Sequence, residues 1–164
     1  MSTSDQPRLL RAYLADHLQL LRSARELAAR VRRRERGAAG VALLDDVLAE
    51  LSRNEAVAIA FLRQLGAGPP GLRLALGTAA ERVGRLKPNG RLFRPSPLAL
   101  VFEVEVLESL LEMSARCWRA VDRAGVAAPE VVAARADALE GLVPRLEAWR
   151  LQAAADALGV GEPT

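Results

Sequence analysis

An all-α fold is what this chain predicts, an up-down four-helix bundle with an additional C-terminal helix. Three observations carry that expectation. Aromatic residues make up only 4% of a chain that is 51% apolar. The core must therefore be built from Leu, Val and Ala, which suits helix-on-helix packing better than sheets. Apolar residues recur at alternating spacings of four and three along several long segments, the mark of a helix with one buried stripe. Breaks rich in Gly and Pro fall between those segments. At 164 residues the chain reads as a single domain, with residues 1–6 and 159–164 as frayed ends.

Taken in order, Ser4 or Asp5 can cap a first helix with Pro7 in its first turn. That helix runs to about Arg36 on a seam of Leu10, Leu14, His17, Leu21, Ala24, Ala28 and Val31. It ends in a basic run, Arg30, Arg32, Arg33, Arg34 and Arg36, where positive charge complements a helix C-terminus by roughly 0.3–1 kcal/mol. The second helix spans about Ala39 to Leu65 on Leu44, Leu48, Leu51, Glu55, Ala58, Leu62 and Leu65, and stops at LGAGPP. The third, about Gly71 to Leu86, carries Leu72, Leu76, Ala79, Val83 and Leu86, with Glu81 off centre.

The stretch VGRLKPNGRLFRPSPLAL then interrupts the pattern. Pro88 removes a helical donor and pushes Lys87 out of the helical region, Asn89-Gly90 is a turn dipeptide, and Ser96-Pro97 starts a new helix. Residues 87–96 make a long loop, basic through Lys87, Arg91 and Arg94, that reads first as solvated and second as an anion-binding or partner-binding loop. The fourth helix, Pro97 to about Arg123, has its seam at Leu100, Val104, Leu107, Leu111, Ser114, Trp118 and Val121. Glu103 flanks that seam, and Glu105, Glu108 and Glu112 line a different face, expected to be wet. The fifth runs from Pro129 to about Leu158 on Leu139, Leu142, Leu146, Trp149 and Ala153, with Pro144 kinking or splitting it near Leu142.

The formal net charge is +3, carried almost wholly by arginine, since Lys87 is the only lysine. Arg and Ala richness without Lys is the signature of a GC-rich genome, which weakens it as a sign of nucleic-acid binding. The single Cys117 excludes an internal disulfide and a cysteine zinc cluster. The start, MSTSDQPRLL, lacks a signal-peptide apolar stretch, and no run approaches about 18 apolar residues. A cytoplasmic location is the expectation.

Hairpin arithmetic brings the odd residues to one level. If the helices turn over near residues 38, 68 and 92, then His17, Glu55, Glu81 and Glu103 share a layer, with Asp16 and Glu50 close by. Buried charges are costly unless paired or bound to a metal. The plain reading is that the carboxylates sit at bundle edges or pair with Arg53, Arg82 or Arg85, and that His17 is a satisfied core histidine. The sharper reading is a metal site.

The strings Asp16-His17, Glu81 followed by Lys87-Pro88-Asn89-Gly90, Ser96-Pro97-Leu98 and Glu103-Val104-Glu105 resemble those of an uncharacterised bacterial family of ferritin-like helical proteins. The resemblance covers about residues 10–122 and implies a ferritin-like bundle, with carboxylates and histidine on inner faces. Di-iron members carry Glu-x-x-His on two helices. One histidine, preceded a turn earlier by Tyr13 and Leu14, cannot supply that set.

Three functions follow. The first is a non-enzymatic bundle acting through a protein partner or by self-association, with no cofactor. The second is a degenerate ferritin-like metalloprotein holding one Fe, Mn or Zn ion through His17, Glu55 and Glu81 or Glu103. The third is nucleic-acid binding through Arg30 to Arg36, which lacks aromatic interleaving or a recognisable motif. No nucleophile triad, phosphate-binding glycine loop or cofactor fingerprint is visible.

Overall fold

The computed structural model describes residues 6–66, 97–125 and 129–159. They form five helices: α1 Gln6–Arg34, α2 Ala38–Gln64, α3 Pro97–Arg123, α4 Pro129–Glu140 and α5 Val143–Leu158. No strand occurs among the described residues. The expected helix at 71–86, the 87–96 loop and Glu81 lie outside them, as do the capping candidates Ser4 and Asp5.

The helix ends follow from local chemistry. Gly37 follows α1, and the Glu35 carboxylate oxygen accepts the N–H groups of Arg36 at 2.9 Å and Gly37 at 2.5 Å, amides that no helix satisfies there. Gly66 closes α2 at φ 71°, and Gly125 closes α3 at φ 64°. Left-handed backbone of this kind favours glycine, and each N–H turns back to the helix, to the carbonyl oxygens of Arg63 and Asp122. The last predicted helix is split, as Pro144 requires. Gly141 and Leu142 form the break, and Pro144 falls in the first turn of α5, where its missing N–H costs nothing.

Cross-helix pairs give the directions. Arg32 meets Asp45 and Arg25 meets Glu55, so α1 and α2 are antiparallel. Arg30 and Arg34 meet Glu103, while Tyr13 lies beside Cys117, so α1 and α3 are antiparallel. Arg119 meets Asp137 and Glu140, and Arg150 meets Glu105, which sets α4 and α5 antiparallel to α3. Asp46 with Arg145 and Glu50 with Arg135 close the ring between α2 and the α4–α5 pair. Counting α4 and α5 as one broken helix, the described helices run up, down, down, up in chain order. The end of α2 and the start of α3 consequently sit at opposite ends of the bundle.

The C-terminal helices are thus not an addition to a finished bundle. Val132, Ala136, Leu139, Leu142 and Leu146 belong to the same buried cluster as Leu14, Leu21, Leu44, Leu51, Leu107 and Leu111. The sequence pattern could not separate these cases, because a helix with one apolar stripe looks the same whether it completes a core or covers one.

One seam is rotated from the expected one and another is wider. On α2 the buried column is Leu44, Val47, Leu51, Asn54, Ala58 and Leu62, whereas Leu48 and Glu55 are half-buried at the flank. A shift of one residue turns a helical position by about 100°, so Val47 and Asn54 take the places assigned to Leu48 and Glu55. On α1, Leu18 and Leu27 join the predicted seam, and His17 is half-buried at its edge.

Candidate functional site

The described part of the predicted polar layer is dispersed. Glu55 turns to α1, where its carboxylate accepts from Arg25 Nε at 2.5 Å with Arg22 at 4.0 Å. Glu103 also turns to α1, at the other end, and pairs with Arg30 at 3.3 Å and with Arg34. Both carboxylates are therefore engaged at helix seams by arginines of α1, while Arg53 pairs with Glu50 and Arg82 and Arg85 lie outside the described residues. His17 meets neither. Its ring packs edge-on against Tyr13, with centroids 4.5 Å apart and planes at 68°. Its Nδ1 is buried without a hydrogen-bond partner among the described residues. Burial lowers the imidazole pKa, against a smaller upward pull from Asp16. Among the described residues, no group of three or more His, Cys, Asp or Glu side chains is placed to hold a metal ion.

The internal polar site lies elsewhere, between α2, α3 and α4. Asn54 is wholly buried and Glu50 is 5% exposed. Trp118 Nε1 donates to Asn54 Oδ1 at 2.6 Å. Asn54 Nδ2 donates to Glu50 Oε1 at 2.8 Å and to the Glu50 carbonyl oxygen at 2.9 Å. Arg135 donates to Glu50 Oε1 at 2.7 Å, and Arg53 Nε to Glu50 Oε2 at 2.8 Å. The side-chain polar atoms of Trp118, Asn54 and Glu50 all have partners, so burial strands none of them. Its chemistry is that of a cross-helix tie. The carboxylate is held by two arginines and the indole has no acid–base role at neutral pH.

A second carboxylate is treated differently. Glu108 was expected on the wet face of α3, but its side chain is only 14% exposed. It faces α5, where Arg150 lies 3.9 Å away. That arginine is already engaged by Glu147 at 2.6 Å and Glu105 at 3.1 Å. Glu108 Oε1 is buried with no partner among the described residues. Burial raises the Glu108 pKa, Glu147, Glu105 and Glu112 add to the rise, and Arg150 only partly opposes it. Beside this seam a surface groove of about 420 Å³ opens where α4 breaks from α5, lined by Ala115, Val143 and Pro144 with Glu112, Arg116, Glu140 and Glu147.

The basic end of α1 is partly neutralised. Arg30 and Arg34 hold Glu103, and Arg32 donates to both oxygens of Asp45 at 2.7 and 3.1 Å. Hydrogen bonding from Arg32 lowers the Asp45 pKa. Arg33 and Arg36 are the two of the run without a carboxylate partner among the described residues. Cys117 is buried, which pushes its thiol up to about 12 and keeps it protonated. It serves as a small core residue.

Sequence reasoning missed Asn54 and Arg135 and placed Trp118 only as an apolar seam residue. One signal was present. Asn54 stands at three- and four-residue steps from Leu51 and Ala58, so a polar residue within a heptad column was visible there as well as at Glu55. No helix among the described residues is long and apolar enough to cross a membrane. Comparison with known proteins gives no relative for this chain: no family model, no curated protein and no solved structure matches it.

Proposed function

We propose that this chain is a non-enzymatic, ferritin-like helical bundle that works by contact, through a protein partner or by self-association. One observation carries the reading, the uneven distribution of exposed apolar side chains. Leu9 and Tyr13 on α1, Leu98, Phe102 and Met113 on α3, and Leu151 and Leu158 on α5 are all 37% exposed or more; Val131 on α4 is exposed too, at 44%, and α2 contributes no large apolar residue to this group. Helix α3 stands between α1 and α5, so all of these except Val131 lie on the three helices of one wall. Contiguous exposed apolar surface on one side of a protein marks interaction sites. The internal polar groups favour the same view, because Glu50 and Asn54 are buried and held by hydrogen bonds within the bundle. The ferritin-like part of the reading draws support from the up, down, down, up order, which needs one long connection between α2 and α3.

A single-metal reading has less behind it, since Glu55 and Glu103 both hold arginines. A nucleic-acid reading likewise has to work against Glu103 and Asp45 at the basic end. The test is a photo-crosslinking amino acid placed at Phe102 or Leu151 on the apolar wall and at Ala49 on the outer face of α2. Adducts of defined mass from the first two positions and none from Ala49 are expected in cells. No intermolecular adduct from either wall position overturns the contact reading.

A further inference from the structure

The outer face of α3 is complementary to itself. Leu98, Phe102, Ser109, Met113, Arg116 and Ala120 follow one another at steps of four, seven, four, three and four. At about 100° per residue they fall within an arc of about 60°. All six are exposed, Phe102 by 50%. The smallest polar side chain, Ser109, stands at the middle. Its hydroxyl already donates to the Glu105 carbonyl oxygen at 2.9 Å, so a close approach there strands no donor.

We propose that this face is a homodimer interface, in which α3 of one copy packs antiparallel on α3 of a second copy about a two-fold axis at Ser109. The proposal rests on the contact reading above and names its partner. The two-fold sets one large residue against a small one, an aromatic ring against a cation, and Met113 against Glu105 of the second copy. Leu98 meets Ala120 of the second copy. Phe102 meets Arg116, whose guanidinium can lie over the ring, an attractive cation–π arrangement. The same guanidinium comes within a turn of Glu105 of the second copy. Arg116 is free to do so, because its present pair with Glu112 at 2.9 Å is between side chains 74% and 46% exposed, and such a pair holds weakly. An isologous contact of this kind closes at two copies. A contact along one helix of about 40 Å buries on the order of 1,000 Å² in total, at the low end for a specific interface, so the dimer should be concentration-dependent.

Sedimentation equilibrium on the full chain, from low micromolar to submillimolar, tests this. A reversible monomer–dimer equilibrium is expected. Ser109→Arg should abolish it with the melting temperature held, because the position is an exposed helix site and arginine is a good helix former. Arg116→Glu should weaken it by about tenfold or more, and adding Glu105→Arg should restore it in part. Ala49→Glu on α2 should leave it unchanged. A monomer at every concentration, or a dimer indifferent to Ser109→Arg, overturns the proposal. In the first case, photo-crosslinks from Phe102 to a different protein would leave the contact reading standing, and crosslinks only to residues 67–96 of the same chain would remove both.

Discussion

Glu50 and Glu108 are two carboxylates drawn into the same bundle, on α2 and α3, with opposite outcomes. Glu50 is the more deeply buried, yet both its oxygens are bound, by Asn54 and Arg135 on one and Arg53 on the other. Glu108 is less buried and leaves one oxygen with no partner. The difference lies in the supply of donors. Around Glu50 two arginines and an amide serve one carboxylate. Around Glu108, Arg150 is shared among Glu105, Glu108 and Glu147 and is already held closely by the other two. Burial sets what an ionised group stands to lose, and the count of donors decides whether it loses it.

The largest effect should come from breaking the satisfied site. Arg135→Ala leaves Glu50 with Arg53 and Asn54 only, and breaking a buried pair from one side costs about 3–5 kcal/mol. Because Arg135 is 20% exposed, the low end is expected, about 3 kcal/mol in urea unfolding. A loss under about 1 kcal/mol, the surface-pair value, would show that Glu50 does not depend on α4. Next in size is Trp118→Phe. It keeps most of the ring volume, removes the indole donor and leaves Asn54 Oδ1 without its partner. The cost should be about 1–3 kcal/mol, that of one buried unsatisfied acceptor. In a double-mutant cycle with Asn54→Leu the two losses should fail to add, and additivity would mean that the hydrogen bond is idle.

The unsatisfied site should respond in the opposite direction. Glu108→Gln removes the charge beside Glu147, Glu105 and Glu112, so at neutral pH the variant should be more stable by about 0.5–1.5 kcal/mol, the scale of one hydrogen bond. The sign with pH follows from the raised pKa. Below the ordinary value of 4.5 the carboxyl is neutral folded and unfolded, and the gap between variant and wild type closes. As pH climbs through the raised folded-state pKa, the wild type loses stability relative to the variant. A gap that is constant from acid to neutral pH would place the cause in packing and not in charge.

Much of this was legible in the sequence, and the failures share a cause. The heptad columns of α1 and α3, the glycine stops at Gly66 and Gly125, and the split before Pro144 could be read because each depends on near neighbours in the chain. The α2 seam could not. Leu48 with Glu55 and Val47 with Asn54 offer equally regular columns, and the choice is made by what the other helices present: Arg25 to Glu55, Trp118 to Asn54. The Glu50 network needed Arg135, eighty-five residues away, which no local pattern marks. Glu108 failed for the complementary reason. The spacing of Glu105, Glu108 and Glu112 gave one acidic face, but α5 covers its middle member most closely.

The smallest effect is expected at His17, and it bears on the same rule. His17 has a buried ring nitrogen with no partner, as Glu108 has a buried oxygen with none. The imidazole escapes the penalty of Glu108 by being neutral, since its pKa is lowered by burial. His17→Leu replaces an unpaired nitrogen by apolar atoms at the edge of the α1 seam, beside Tyr13, and removes no hydrogen bond from Nδ1. At pH 8 the stability should change by about 0.5 kcal/mol or less. Below the ordinary histidine value of 6.5 the two proteins should diverge. The unfolded wild type takes up a proton there more readily than the folded state does, so the wild type loses stability as the pH falls from 6.5 through the lowered folded-state pKa, while the leucine variant does not. A pH-independent loss of more than about 2 kcal/mol, beyond the usual range for a residue without partners, would mean that the ring holds a group across the bundle. The same purified proteins settle the metal reading of His17, Glu55, Glu81 and Glu103. About one Fe, Mn or Zn ion per wild-type chain, absent from His17→Leu, would establish that site, because its only nitrogen donor would be gone.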